Sequence, residues 1–143
     1  MIETSYFKHY QVIQQANDWQ QAITLAAQPL LDNQCISENY IKSMIQNVLD
    51  NGPYIVIMPY VALPHTRSEE GALKTSVSIV KLINPVLFPQ EKQVKLVIAF
   101  AAYDNDTHMA LLSSLVDVLM DDQVMEKVLA CEDVDTLKGL LQL

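Results

Sequence analysis

Residues 94–120 read VKLVIAFAAYDNDTHMALLSSLVDVLM. From Val94 to Ala102 the run is apolar apart from Lys95. It is far too short to span a membrane and carries no alternation, which marks a central strand covered on both faces. The polar segment that follows ends in Asp106 and Thr107, either of which can cap a helix predicted over His108–Met120. Met109, Leu112, Val116 and Leu119 line one face of that helix, and Leu111, Leu115 and Val118 widen it. A doubly covered strand followed by a helix with a broad apolar face calls for further helices across the sheet, so the reading is a layered α/β fold.

Upstream, KTSVSIVKL (Lys74–Leu82) alternates partly at period two and reads as a strand. Tyr54–Met58 is rich in β-branched residues and is expected to be a buried strand; Tyr10–Gln14 is a candidate short strand. Asn17 or Asp18 can cap a helix over Trp19–Leu31, where Trp19, Ala22, Ile23, Ala26 and Leu30 recur at helical spacing. Ser37 is the expected N-cap of a second helix with the stripe Ile41, Met44, Ile45, Val48 and Leu49, ended by Asn51-Gly52-Pro53. Short helices near Gln123–Ala130 and Val134–Leu141 close the chain. The expected architecture is one α/β domain over residues 1–143, a mixed β-sheet covered by helices.

The 143 residues are half hydrophobic, enough for a packed core. A net charge of −8 with scattered basic residues argues against a nucleic-acid partner and against a basic membrane anchor. No window of about 18 apolar residues is present, so no membrane insertion is expected. MIETSYFKHYQVIQQ (residues 1–15) lacks the pattern of a signal peptide, and a cytoplasmic location is expected. Cys35 and Cys131 form no CxxC-type pair and read as partly buried thiols in a reducing compartment.

The chemistry centres on PYVALPHTRSEEG (Pro59–Gly71). Pro59 and Pro64 stiffen this loop, and His65 follows the second proline directly. Imidazole near pH 7 is largely neutral, nucleophilic and able to carry a proton. Arg67 brings planar donors suited to an oxyanion. His108, in the first turn of a predicted helix, would stand where exposed amides attract anions and could donate a hydrogen bond to a group held by His65. His9 lies among polar and aromatic residues and reads as a surface or structural side chain.

NGPYIVIMPYVALPHTRSEEGALKTSVSIVKL (residues 51–82) resembles the phosphohistidine region of the type-2 IIA domains of the bacterial phosphoenolpyruvate-dependent sugar phosphotransferase system. The nearest likeness is to the ascorbate-type branch, with GPYxVxxPGxAxPHxRPExGVxKT where this chain has GPYIVIMPYVALPHTRSEEGALKT. NDWQQAI, VLFP, AAYDNDTHMALLSSLVDVL and ACEDVDTLKGLL extend the resemblance over nearly the whole chain. It implies the mannitol/fructose-type IIA fold, His65 as the phosphorylated residue, His108 as the second active-site histidine and Arg67 as the arginine typical of the ascorbate branch. The mannitol branch instead places an arginine on the preceding helix, and ENYIKSMIQNVL (residues 38–49) has none. Tyr60 stands at a family glycine and Ser68 at a proline of the branch.

The resemblance further implies a relay. A phosphocarrier protein, HPr, donates to His65, a IIB component takes the group onto a thiolate, and a membrane IIC component couples this to uptake of a sugar, ascorbate by the nearest branch. No cofactor and no metal are implied, because the donor is already a reactive phosphoramidate. An apolar rim at Pro59–Leu63 is the expected contact with these partners. Two other readings stand beside it: a regulatory phosphoacceptor of the same fold, and a metal-dependent hydrolase using His65, His108 and a carboxylate such as Asp104.

Overall fold

The computed structural model describes residues 6–143. The first five residues, part of the stretch read as lacking a leader pattern, lie outside the described residues. The sheet has five strands: β1 (Phe7–Ile13), β2 (Val56–Met58), β3 (Tyr60–Ala62), β4 (Ser76–Phe88) and β5 (Lys92–Ala101), in the order β1-β4-β5-β3-β2. β1 is parallel to β4, β4 antiparallel to β5, β5 parallel to β3 and β3 antiparallel to β2, so the sheet is mixed as expected. The helices are α1 (Trp19–Asp32), α2 (Glu38–Asn51), α3 (Asn105–Leu119), α4 (Asp122–Ala130) and α5 (Val134–Leu140). α1 and α2 pack on one face; α3, α4 and α5 pack on the other.

β5 shows why its apolar run is unbroken. Leu96, Ile98 and Phe100 point into the core beneath α3–α5, and Val97, Ala99 and Ala101 into the core beneath α1 and α2. Both ladders skip Lys95: Tyr60 pairs with Val94 and Val61 with Leu96 on one side, Val86 with Val94 and Lys81 with Leu96 on the other. That bulge turns Val94 to the opposite core from Leu96, although the two are separated by a single residue.

α1 continues through Pro29, which has no N–H to offer the carbonyl of Leu25. Gln11 of β1 takes the vacant acceptor, its Nε2 donating to that oxygen at 3.1 Å. The helix therefore loses one internal bond without burying an orphan carbonyl. Asp18 is its N-cap, accepting from the backbone N–H of Gln21 at 2.7 Å.

Several expected boundaries move. The first strand is Phe7–Ile13, not Tyr10–Gln14. Tyr54–Met58 is not a buried strand: only Val56–Met58 pairs, at the sheet edge, and Ile57 is exposed. The segment read as loop contains β3, a strand by virtue of its pairing with β5, and a 3-10 turn over Ser68–Glu70. β4 runs past Leu82 to Phe88, carrying Asn84 and Pro85 through the irregularity between Lys81 and Val86. α3 begins at Asn105, with Asp104 as its cap in place of Asp106 or Thr107. Among the described residues no helix is long and apolar enough to cross a membrane.

Candidate active site

β3 runs into Leu63 and Pro64, and the backbone pins both. The N–H of Leu63 donates to the carbonyl of Ile55 at 2.9 Å, and the carbonyl of Pro64 accepts from the N–H of Phe100 at 3.2 Å. The stiffness inferred from the prolines is thus reinforced by ties to the β2 side and to β5. Nδ1 of His65 lies 2.6 Å from the carbonyl oxygen of Leu63. A carbonyl only accepts, so Nδ1 carries the proton and Nε2 keeps its lone pair. Burial lowers the His65 pKa below its ordinary value, against a smaller opposing effect of the Leu63 hydrogen bond. The outcome is a neutral imidazole with a free Nε2, the state a nucleophile requires.

The structure brings His108 beside it. The ring centroids are 5.3 Å apart and the planes are tilted by 54°. Phe100, fully buried, lies under both rings, stacked on His65 at 5.0 Å and tilted against His108 at 5.2 Å. Tyr54 meets His65 edge-on at 6.2 Å. His108 is the fourth residue of α3, and its N–H donates to the carbonyl of Asp104 at 2.9 Å. Its Nδ1 is buried without a hydrogen-bond partner. A buried lone pair is tolerated more readily than a buried orphan N–H, which assigns the proton to Nε2. Burial, and then the neighbouring His65, lower its pKa. The two rings therefore have complementary tautomers: one with a free Nε2 lone pair, the other with an Nε2–H donor.

The end of α3 differs from its sequence reading. The Asp104 carboxylate already accepts from the N–H of Thr107 at 2.7 Å, and these bonds hold its pKa below the usual carboxylate value. One of the amides expected to face an anion is thus taken by the cap. Among the described residues no three His, Cys, Asp or Glu side chains gather as a metal-binding group, so Asp104 does not join the histidines in one.

Arg67 is placed differently. Its side chain is 74% exposed, with Nε 3.6 Å from Glu69 and Nη2 3.5 Å from Glu70. The expected apolar rim is also corrected. Val61, Ala62 and Leu63 are fully buried because β3 is an inner strand, leaving only Pro59 and Tyr60 of that segment exposed. Exposed apolar surface beside the histidines comes instead from Tyr54, against His65, and from Met109, next to His108 in α3. A hollow of about 500 Å³ lined by Val56–Tyr60 and Glu91–Gln93 contains neither histidine and sits at the far ends of β3 and β5.

His9 stays away from the site, half-buried on β1 and stacked on Phe7 at 6.3 Å. Cys35 and Cys131 are unlinked and both buried, more so than expected, and burial pushes both thiols up in pKa.

One part of the site escaped sequence reasoning. Thr66, buried directly after His65, is held from α2. Its Oγ1 lies 2.8 Å from Ser43 Oγ and accepts from Asn47 Nδ2 at 3.0 Å. The hydroxyl of Tyr40 lies 3.1 Å from the Thr66 carbonyl and 2.9 Å from that of Phe100. Tyr40, Ser43 and Asn47 recur at i, i+3 and i+7, a polar helical stripe beside the apolar one. That spacing was the available signal.

A rigid α/β scaffold presenting two neutral imidazoles is suited to group transfer through a histidine. Residues 6–142 match the family described as "Phosphoenolpyruvate-dependent sugar phosphotransferase system, EIIA 2", and the chain belongs to that family. It is a phosphotransferase component. It is 38% identical over 131 residues to the mannitol-specific cryptic phosphotransferase enzyme IIA component of Escherichia coli K12, covering 91% of this chain and 89% of the relative. To the ascorbate-specific PTS system EIIA component of Salmonella typhimurium it is 32% identical over 130 residues, covering 89% and 84%. The solution structure of the mannitol-specific cryptic enzyme IIA from Escherichia coli superposes with a TM-score of 0.86 at 37% identity, covering 96% of this chain and 92% of that one. A complex of the mannitol enzyme IIA with phosphorylated enzyme IIB from Escherichia coli gives 0.78 at 25% identity, covering 91% and 92%.

Proposed function

We propose that this chain is a cytoplasmic phosphocarrier that accepts a phosphoryl group from HPr on Nε2 of His65 and passes it to a IIB component, which serves a membrane IIC transporter. The observation that carries the reading is the Leu63–His65 hydrogen bond, which leaves a neutral Nε2 free beside a second imidazole. The lone pair of His65 Nε2 forms the new N–P bond as the N–P bond of the donor breaks and the donor imidazole departs. His65 keeps its Nδ1 proton, so the phosphorylated ring is cationic, and the Leu63 carbonyl stabilises that charge while leaving the ring a good leaving group. His108 donates its Nε2–H to a phosphoryl oxygen. Arg67 supplies a second donor once its guanidinium leaves Glu69 and Glu70. Positioning and charge stabilisation are what a loose, in-line phosphoryl transfer needs.

For the sugar, the Pro64-His65-Thr66-Arg67 motif supports ascorbate. The higher identity to the mannitol-specific cryptic component, 38% against 32%, favours a hexitol as the second reading. Purified IIB proteins of both types, offered the phosphorylated chain, separate these; no transfer to any IIB would point to the regulatory phosphoacceptor. The site itself is tested by incubation with phosphoenolpyruvate, enzyme I and HPr followed by mass measurement. One acid-labile, base-stable phosphoryl group is expected, absent from His65→Ala. His108→Ala should still be labelled but pass the group on roughly 10- to 100-fold more slowly, as loss of a hydrogen bond to an ionised group predicts. Labelling of His65→Ala overturns the assignment.

A further inference from the structure

We propose that Tyr40 is a positioning residue for phosphoryl transfer: its hydroxyl, joining the His65 loop to β5, holds the backbone in the geometry that keeps the His65 proton on Nδ1. The inference rests on His65 being the acceptor, as proposed above.

Tyr40 is fully buried on α2, with no exposed edge to account for a hydroxyl. Its oxygen stands 3.1 Å from the carbonyl of Thr66, 2.9 Å from the carbonyl of Phe100 and 3.4 Å from the N–H of Thr66. One hydroxyl proton thus serves two carbonyls that belong to different parts of the site. Thr66 is the residue after His65, and Phe100 carries the ring on which both imidazoles rest. Burial pushes the Tyr40 pKa up to about 12, so the hydroxyl remains a donor throughout the neutral range. Ser43 and Asn47 hold the Thr66 side chain from the same helix face, so the residue after His65 is gripped at carbonyl, amide and hydroxyl.

The consequence falls on His65. The 2.6 Å bond from Nδ1 to Leu63 is made within its own loop, across two residues, and depends on the backbone between them. Pro64 restrains that backbone from upstream and the grip on Thr66 from downstream. With the downstream hold released, the ring can leave Leu63, and the proton is then free to occupy Nε2. An Nε2–H imidazole has no lone pair at the nitrogen that must attack, so acceptance slows without any change in the reacting groups.

The test measures the tautomer directly. Long-range ¹H–¹⁵N spectra of labelled protein at about pH 8, where imidazole is neutral, report which nitrogen of His65 is protonated. Wild type should show Nδ1–H alone. Tyr40→Phe should show a mixture containing Nε2–H, with acceptance from phosphorylated HPr slowed roughly tenfold, as the loss of one buried hydrogen bond predicts. Thr66→Val removes the Oγ1 bonds at nearly constant volume and should act in the same direction, while Thr66→Ser restores both readouts. Thr66→Val leaves the Tyr40 bonds in place and tests only the hold on Oγ1; if Tyr40→Phe does not fold in buffer alone, the same two readouts are taken in trimethylamine N-oxide, which favours the folded state. Wild-type tautomer and rate in the folded variants, even with a lowered urea midpoint, would show that Tyr40 only fills the core and overturn the proposal. Failure of the underlying reading has another signature, in that wild type takes up no phosphoryl group or His65→Ala still does; that result overturns both.

Discussion

Gly71 ends the 3-10 turn that follows Arg67, at φ +135°. Replacing it with alanine places a side chain in a backbone region that costs about 1–3 kcal/mol for a residue with a Cβ. The new methyl would lie 1.9 Å from Ser37 Oγ, 3.1 Å from Ser37 Cβ and 3.3 Å from Tyr40 Cβ. The serine hydroxyl makes no capping bond and can rotate away. The two Cβ atoms cannot, because they belong to the start of α2, which the Ser37 N–H ties to the Gly71 carbonyl at 2.9 Å. Overpacking of that kind adds about 1–3 kcal/mol. Gly71→Ala is therefore expected to lose about 2–6 kcal/mol, measured by urea denaturation followed by circular dichroism. Phosphoryl acceptance should fall with it, since the displaced Tyr40 holds Thr66. Gly139, in α5, has nothing within 4 Å of an added Cβ. Gly139→Ala should stabilise by about 0.5–1 kcal/mol through helix propensity. A Gly71→Ala protein within about 0.5 kcal/mol of wild type would refute the reasoning.

Three further outcomes are expected. His65 and His108 both have pKa values lowered from 6.5, so the folded protein binds fewer protons than the unfolded chain just below that pH. Stability is then full above 6.5 and falls as pH drops toward the lowered values, and the acid limb of phosphoryl acceptance has its midpoint below 6.5; a midpoint above it contradicts a buried neutral acceptor. Arg67→Ala should slow transfer, with Arg67→Lys intermediate, while the exposed pairs with Glu69 and Glu70 contribute at most about 1 kcal/mol to stability; equal rates in all three proteins would make Arg67 a surface ion-pair residue. Lys81 is buried, with Nζ donating to the carbonyl of Cys131 at the end of α4 at 2.9 Å, and burial lowers its pKa from 10.5. Wild-type stability should consequently rise relative to Lys81→Met as pH climbs toward 10.5, and parallel pH curves for the two proteins would show that the ammonium is not desolvated.

Helices α1 and α2, the doubly covered β5 and the Pro64–His65 loop were legible in the sequence, because helical periodicity, capping residues and proline restraint act over a few neighbouring residues. So was the pairing of His65 with His108, suggested by the place of His108 in a first helical turn and implied by the resemblance, although nothing local links side chains 43 positions apart. Other features belong to the tertiary structure. Tyr60–Ala62 is a strand only because β5 lies beside it, and that pairing also buries Val61, Ala62 and Leu63, which a linear reading leaves on a loop surface. β4 outlasts its expected end because a bulge opposite β5 absorbs Asn84 and Pro85. Asp106 and Thr107 were the caps read for α3, and the early end of β5 at Ala101 places the cap at Asp104 instead. Thr66 found its partners on α2, 19 to 26 residues away. Hydrogen-bond partners of that kind are set when distant elements pack, and burial then makes them obligatory.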